Sequence, residues 1–251
     1  GALVVGTAFP HLAKEMTGAF PWKSVIILTS SLAVFGGLLM LIMVRDGPYR
    51  KTGDQLYLSA FIGVFRNRKF RSAAFGYFGH MWELYAFWAF VPIILKTYSM
   101  EHPEAAFNVP LLSFLIIGIG GLACVLSGYL AQIMGTKRIA VIALLLSCGC
   151  CLVSPLIFAI ESESMFIGFL LFWGMVVIAD SPLFSTLVAQ NASAEIKGTA
   201  LTIVNCIGFS ITIISIQFLN VLQASINPMY IYTILALGPI LGLIVLSEKK
   251  K

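Results

Sequence analysis

Three ionisable side chains fall where a chain this apolar should carry none. His80 and Glu83 lie one turn apart in Tyr77-Phe-Gly-His-Met-Trp-Glu-Leu-Tyr-Ala-Phe-Trp88, and Asp180 lies in Trp173-Gly-Met-Val-Val-Ile-Ala-Asp-Ser-Pro182. A carboxylate at the centre of a bilayer costs about 2.5–3.5 kcal/mol even on insertion scales, so each acid should face a protein interior or a water-filled cavity. A carboxyl held in such surroundings can take up and release a proton near physiological pH, and an imidazole one turn away can relay or tune it. Proton exchange is therefore the first chemistry these residues offer.

At 100° per residue, the face centred on Glu83 contains Gly76, Gly79, His80, Ala86, Phe87 and Phe90. Small residues beside an acid and an imidazole predict a stripe that meets other helices or water, with Trp82, Tyr85 and Trp88 on the flanks and back as packing or interface anchors. Near Asp180, Pro182 has no N–H, so the carbonyl of Ile178 loses its helical partner. A freed carbonyl, a carboxylate and the Ser181 hydroxyl then share one opened turn, as in interrupted helices that coordinate ions and substrates. Such prolines also kink helices for packing alone. In the following segment Gly198, Thr202, Asn205, Gly208 and Thr212 share a stripe, which reads equally as cavity lining or as interhelical hydrogen bonding. The candidate cavity residues are Gly79, Phe87, Ser181, Thr202, Asn205 and Thr212.

The elements that must hold these residues are membrane helices. The 251-residue chain is 59% hydrophobic and 11% charged, with a mean hydropathy of +0.95. That is far too few charges to coat a soluble globule. Its apolar runs are long enough for a hydrocarbon core roughly 30 Å thick. Seven spans are predicted, at 24–44, 73–96, 110–134, 139–160, 165–188, 199–222 and 229–247. No period-two alternation points to a barrel, which leaves an all-α polytopic membrane protein. Residues 1–12 are apolar but too short to cross and lack a basic n-region, so they are expected to be the back half of a truncated helix in a fragment.

Spans 24–44, 139–160 and 229–247 carry no charge in their interiors and are expected to be outer, lipid-facing helices. Span 110–134 has Gly120, Cys124 and Gly128 at four-residue spacing, a seam for close helix contact. The five cysteines all lie inside spans. Cys148-Gly-Cys-Cys151 has no histidine or carboxylate at ligand spacing, so these are expected to be small lipid-facing or packing residues, with no metal and no cofactor required.

The basic residues sort by side. Arg45, Arg50, Lys51, Arg66, Arg68, Lys69, Arg71, Lys137, Arg138, Lys197, Lys249, Lys250 and Lys251 fall in alternate connections, against Lys14, Lys23 and Lys96 in the others. The positive-inside rule makes the 45–72 loop and the C-terminus cytoplasmic in a plasma or inner membrane. The formal charge of +5 then reports topology and anionic headgroups, and no nucleic acid. After Asp46-Gly-Pro-Tyr49 and the N-cap candidate Asp54, the loop runs apolar and then basic. That pattern predicts an interfacial helix on anionic lipid, with a calmodulin-like partner as the alternative.

These features together resemble a transporter of the major facilitator superfamily over essentially the whole chain. Gly128-Tyr-Leu-Ala-Gln-Ile-Met-Gly-Thr-Lys-Arg138 is similar to the family's G-x-L-A-D-R-x-G-R-K loop in its eighth-to-ninth-helix copy. A basic central linker followed by six spans, and the pair GHMWELYAFW and ADSPLFSTLVAQ, look like a bacterial subgroup of the family. The resemblance implies the end of helix five and helix six in 1–44, a cytoplasmic linker in 45–72, and the C-terminal six-helix half in 73–251. It also implies an N-terminal half before Gly1 as partner.

Within the loop motif, which Gly128 opens and Arg138 follows, Gln132 replaces the family's acid and Ile133 and Thr136 replace basic residues, while Gly135 and Lys137 remain, so the turn is expected without the charge relay. Helices seven and ten line the central cavity in the family fold, and Glu83 and Asp180 fall on them. Span 110–134 lacks the arginine by which nitrate porters hold their anion, which lowers that substrate class in favour of protons, cations or neutral polar solutes. The implied function is secondary active transport of a small solute by alternating access, with Glu83 or Asp180 as the proton-coupling acid and His80 assisting. Two other classes stay open. An intramembrane enzyme would need more than a Glu–His pair, and no H-E-x-x-H occurs. A transport-inactive or receptor homologue would use Glu83 and Asp180 as buried polar locks.

Overall fold

The computed structural model describes residues 2–16, 22–44 and 63–247. Among them the chain is helical: α1 (Ala2–Met16), α2 (Trp22–Met43), α3 (Arg68–Glu101), α4 (Val109–Gly118), α5 (Gly120–Met134), α6 (Thr136–Phe158), α7 (Glu163–Ala179), α8 (Ser181–Asn191), α9 (Lys197–Gln223), α10 (Pro228–Ile231), a 3-10 turn (Tyr232–Ala236) and α11 (Leu237–Ser247). Joined end to end, α4 with α5, α7 with α8, and α10 with α11 complete seven segments long and apolar enough to cross a membrane. These are the seven predicted spans. The first part of the predicted interfacial helix, 55–62, lies outside the described residues, as do Lys249, Lys250 and Lys251. Its basic end does not continue it, because 65–67 form a turn and Arg68, Lys69 and Arg71 open α3 behind the Asn67 cap.

Local signals set the boundaries. The Asn67 side chain accepts from the backbone N–H groups of Lys69 and Phe70 and starts α3. Asn108 caps α4 through the Leu111 N–H, Ser162 caps α7 through the Met165 N–H, and Asn227 caps α10 through the Met229 N–H. Gly135, with φ 93°, turns the chain between α5 and α6. Its N–H donates to the carbonyl of Ala131 as α5 ends. A positive φ strains any residue with a Cβ, which is why glycine occupies this corner.

Glycines let three helix pairs approach closely. On α3 and α11, Gly79 and Gly238 face each other so tightly that a Cβ on either would overlap the other's carbonyl oxygen, and Gly242 lies against Gly76. Gly208 of α9 sits beneath the ring of Tyr77, and Gly174 of α7 lies against the carbonyl of Ile116 on α4. In the expected 110–134 seam, Gly120 packs on Ile178 and Gly174, whereas Gly128 has open space beside it.

Two of the three spans expected to be lipid-facing are instead embedded on one side. Span 229–247 buries Ile231, Tyr232, Leu235, Gly238, Gly242 and Leu246 against α3 and α6 while exposing Leu237, Leu241 and Ile244. Span 139–160 buries Ala140, Leu144, Ser147, Cys148 and Cys151 and exposes Leu145, Leu152 and Leu156. An apolar sequence tells lipid from protein poorly, because both are apolar surroundings. By contrast α2, packed beside α1, exposes a long apolar surface from Ile26 to Val44.

Candidate functional site

Glu83 stands on the buried face of α3, 1% exposed. Its carboxyl accepts from the Ser147 hydroxyl at 2.5 Å, the Trp173 indole N–H at 2.8 Å and the Cys151 thiol at 3.2 Å. Ser147 and Cys151 are four residues apart on α6, one turn along one face, and Trp173 comes from α7. The acid thus joins three helices and has donors on both oxygens. Phe87, one turn further along α3, packs at a tilt against the Trp173 ring with centroids 4.5 Å apart and so fixes the indole that donates.

One turn before Glu83, His80 turns toward a different partner. Its Nδ1 lies 2.7 Å from Oδ1 of Asp180, both side chains 1% exposed. The contact is short without being a well-aligned hydrogen bond, since Oδ1 finds no donor in good geometry, and Nε2 of His80 has no partner among the described residues. The imidazole is flanked by the rings of Tyr77 and Phe184 at 6.0 and 6.3 Å. The two separate polar patches of the sequence are therefore one assembly: His80 bridges from α3 to the junction of α7 and α8.

At that junction the helix breaks at Asp180, between Ala179 and Ser181, where the proline argument places it. The Ile178 carbonyl is approached by the Cys124 thiol of α5 at 3.7 Å, a weak contact that partly replaces the missing backbone donor. Ser181 is half-buried beside the break.

The remaining predicted residues scatter around this centre. Gly79 is closed off by Gly238, and Phe87 is fully buried. Thr212 is buried and its hydroxyl donates to the Phe209 carbonyl of its own helix. Thr202 and Asn205 are exposed, with the Thr202 hydroxyl donating to the Gly198 carbonyl. The α9 stripe thus straddles an edge, Gly208 and Thr212 facing protein and Thr202 and Asn205 facing outward. In the loop motif, Gly135 makes the turn, while Gln132, Lys137 and Arg138 are exposed on either side of it.

Sequence reasoning missed the donors. Ser147, Cys151, Trp173 and Cys124 were legible only as small or aromatic residues in apolar spans. The i, i+4 spacing of Ser147 and Cys151 was a usable signal, yet nothing in it named Glu83 as the acceptor. The cysteines expected to serve as small lipid-facing or packing residues include two hydrogen-bonding groups, Cys151 and Cys124.

Buried acids, a broken helix and seven segments long and apolar enough to cross a membrane describe a polytopic membrane protein. The sequence signature of the Major Facilitator Superfamily matches residues 1–216, and the chain belongs to that family. Its members are secondary transporters, and this chain is an integral membrane protein of that class. No curated protein matched the chain.

Proposed function

We propose that the protein moves a small cationic or neutral polar solute in exchange or symport with protons, by alternating access. Asp180 and His80 are the pair that loads and releases the coupling proton. The observation that carries this is their 2.7 Å contact at the one residue, between Ala179 and Ser181, where the helix of the α7–α8 segment is interrupted. A carboxyl and an imidazole so placed can share one proton between them, and a break beside them supplies backbone that can rearrange with its position. Losing or gaining that proton changes the attraction holding α3 to the α7–α8 junction, so protonation is linked to helix movement.

Glu83 takes a different role in the same proposal. With three donors drawn from α6 and α7, it anchors α3 inside the bundle while His80 and Asp180 change state. Ser181, Thr202 and Asn205 offer hydroxyl and amide groups for solute contact. Uptake into proteoliposomes under an imposed pH gradient tests the assignment, using labelled cationic and neutral polar solutes. Wild type is expected to accumulate one class of solute, and Asp180→Asn to lose that gradient-driven accumulation. Retention of it by Asp180→Asn would refute the coupling assignment.

A further inference from the structure

At the Gly135 end of the bundle, the starts of α3 and α6 meet the ends of α8 and α11 around a hollow of about 390 Å3. Arg68, Lys69, Arg71 and Lys137 line it, with no carboxylate lining it among the described residues. Arg68, Lys69 and Arg71 share the first turn of α3, and the fold brings Lys137 to them from the start of α6, more than sixty residues along the chain. Hydrogen bonds hold the walls: the Asn67 amide donates to the Asn191 carbonyl at 3.1 Å, and the Ser72 hydroxyl to the Val245 carbonyl at 3.2 Å. The α6 start, which brings Lys137, has no side-chain cap, leaving the positive end of that helix available to an anion.

The floor is of the opposite character. Ala73, Leu187, Val245 and Leu246 close the hollow from the membrane side. Cations at the mouth over an apolar floor match a molecule with an anionic head and an apolar base. A free inorganic anion would use the first and gain nothing from the second. We propose that this hollow is a binding site for an anionic phospholipid. Its phosphate is held by Lys69, Arg71 and Lys137, and its glycerol and upper acyl carbons rest on Leu187 and Leu246. The site lies at the end that the basic residues assign to the cytoplasm, where anionic lipids concentrate. Because α3 carries His80 and α8 follows Asp180, an occupied site also ties together the two helices that the proposed proton pair joins. That consequence rests on the transport proposal; the lipid site itself does not.

The test measures retention of phosphatidylglycerol by the purified full chain, by native mass spectrometry and by titration with a fluorescent phosphatidylglycerol in phosphatidylcholine nanodiscs. Each basic side chain near an anionic surface contributes about fivefold. Lys69→Ala with Lys137→Ala is therefore expected to weaken binding by roughly tenfold or more. Arg138→Ala with Lys197→Ala removes the same charge from exposed side chains that do not line the hollow and is expected to cost clearly less than the first pair, since no direct contact with the phosphate is lost. Equal losses in the two pairs would mean diffuse surface attraction and overturn the site. Displacement of the lipid by millimolar inorganic phosphate, at an ionic strength matched with chloride, would assign the hollow to a free anion and overturn the lipid. Failure of the transport test would leave this result unchanged, so the two proposals fail separately.

Discussion

His80 and Asp180, 100 positions apart in sequence, meet at 2.7 Å in the interior of the bundle, each 1% exposed. Three residues along the same helix, Glu83 is held by Ser147, Cys151 and Trp173. One helix therefore presents an imidazole to a helix break and a carboxyl to a cage of donors. The difference between the two partners decides the roles assigned to them. A group with donors on both oxygens resists change, whereas a pair lacking aligned bonds, with an Nε2 that has no partner among the described residues, has somewhere to move.

Removing a donor from the Glu83 cage should cost stability. Trp173→Phe keeps the ring packed near Phe87 but deletes the N–H, leaving a buried carboxyl oxygen short of a partner. The expected loss is about 1–3 kcal/mol, read as a lower unfolding temperature in detergent. In a Glu83→Met background the same change should cost less than half as much, because no acceptor remains to be orphaned. Equal costs in both backgrounds would place the value of Trp173 in packing alone.

The glycine crossing of α3 and α11 should discriminate among small residues. Gly79→Ala and Gly238→Ala each force a Cβ onto the facing backbone and should destabilise by about 1–3 kcal/mol. Gly128→Ala meets open space and should be neutral or slightly stabilising, because alanine is the better helix former. Thermal unfolding of the three variants side by side checks the contrast.

The corner at Gly135 should reject side chains for a backbone reason. Gly135→Ala should cost about 1–2 kcal/mol through its positive φ, although no neighbour crowds it. Gly135→Asn should recover none of that loss, since ψ 136° puts the corner outside the left-handed helical region that asparagine tolerates. Urea or heat denaturation of the two variants measures the losses.

The spans were legible because hydrocarbon imposes a length and an apolar composition that any sequence must show. The helix break was legible too, where Pro182 removes a donor, whereas the caps at Asn67, Asn108 and Ser162 emerged only from the structure. Which apolar face meets protein and which meets lipid was not legible. Leu144 is buried and Leu145 exposed, yet nothing in the two side chains distinguishes them. The same limit hid the site's connectivity: Glu83 and Asp180 could be read as costly, and the stripe analysis put His80 beside Glu83. Pairing His80 with Asp180 instead required the position of α8 relative to α3, which long-range packing sets. Cys151 shows the limit most plainly, since a thiol reads as a packing residue until a carboxylate stands 3.2 Å away.

The proton pair itself is open to spectroscopy before any solute is known. Infrared difference spectra between acidic and alkaline buffer should contain a carboxylic acid band that disappears in Asp180→Asn and shifts in His80→Gln, because the imidazole is in contact with the acid. A band unchanged by His80→Gln would separate the two residues functionally.

The most direct test of the central claim compares two modes of transport in one set of proteoliposomes, using the solute class that wild type accumulates. Accumulation driven by a pH gradient requires the coupling proton, whereas exchange of internal for external solute at equal pH does not. For Asp180→Asn the account predicts loss of accumulation with exchange retained. Accumulation by Asp180→Asn at the wild-type level would contradict it.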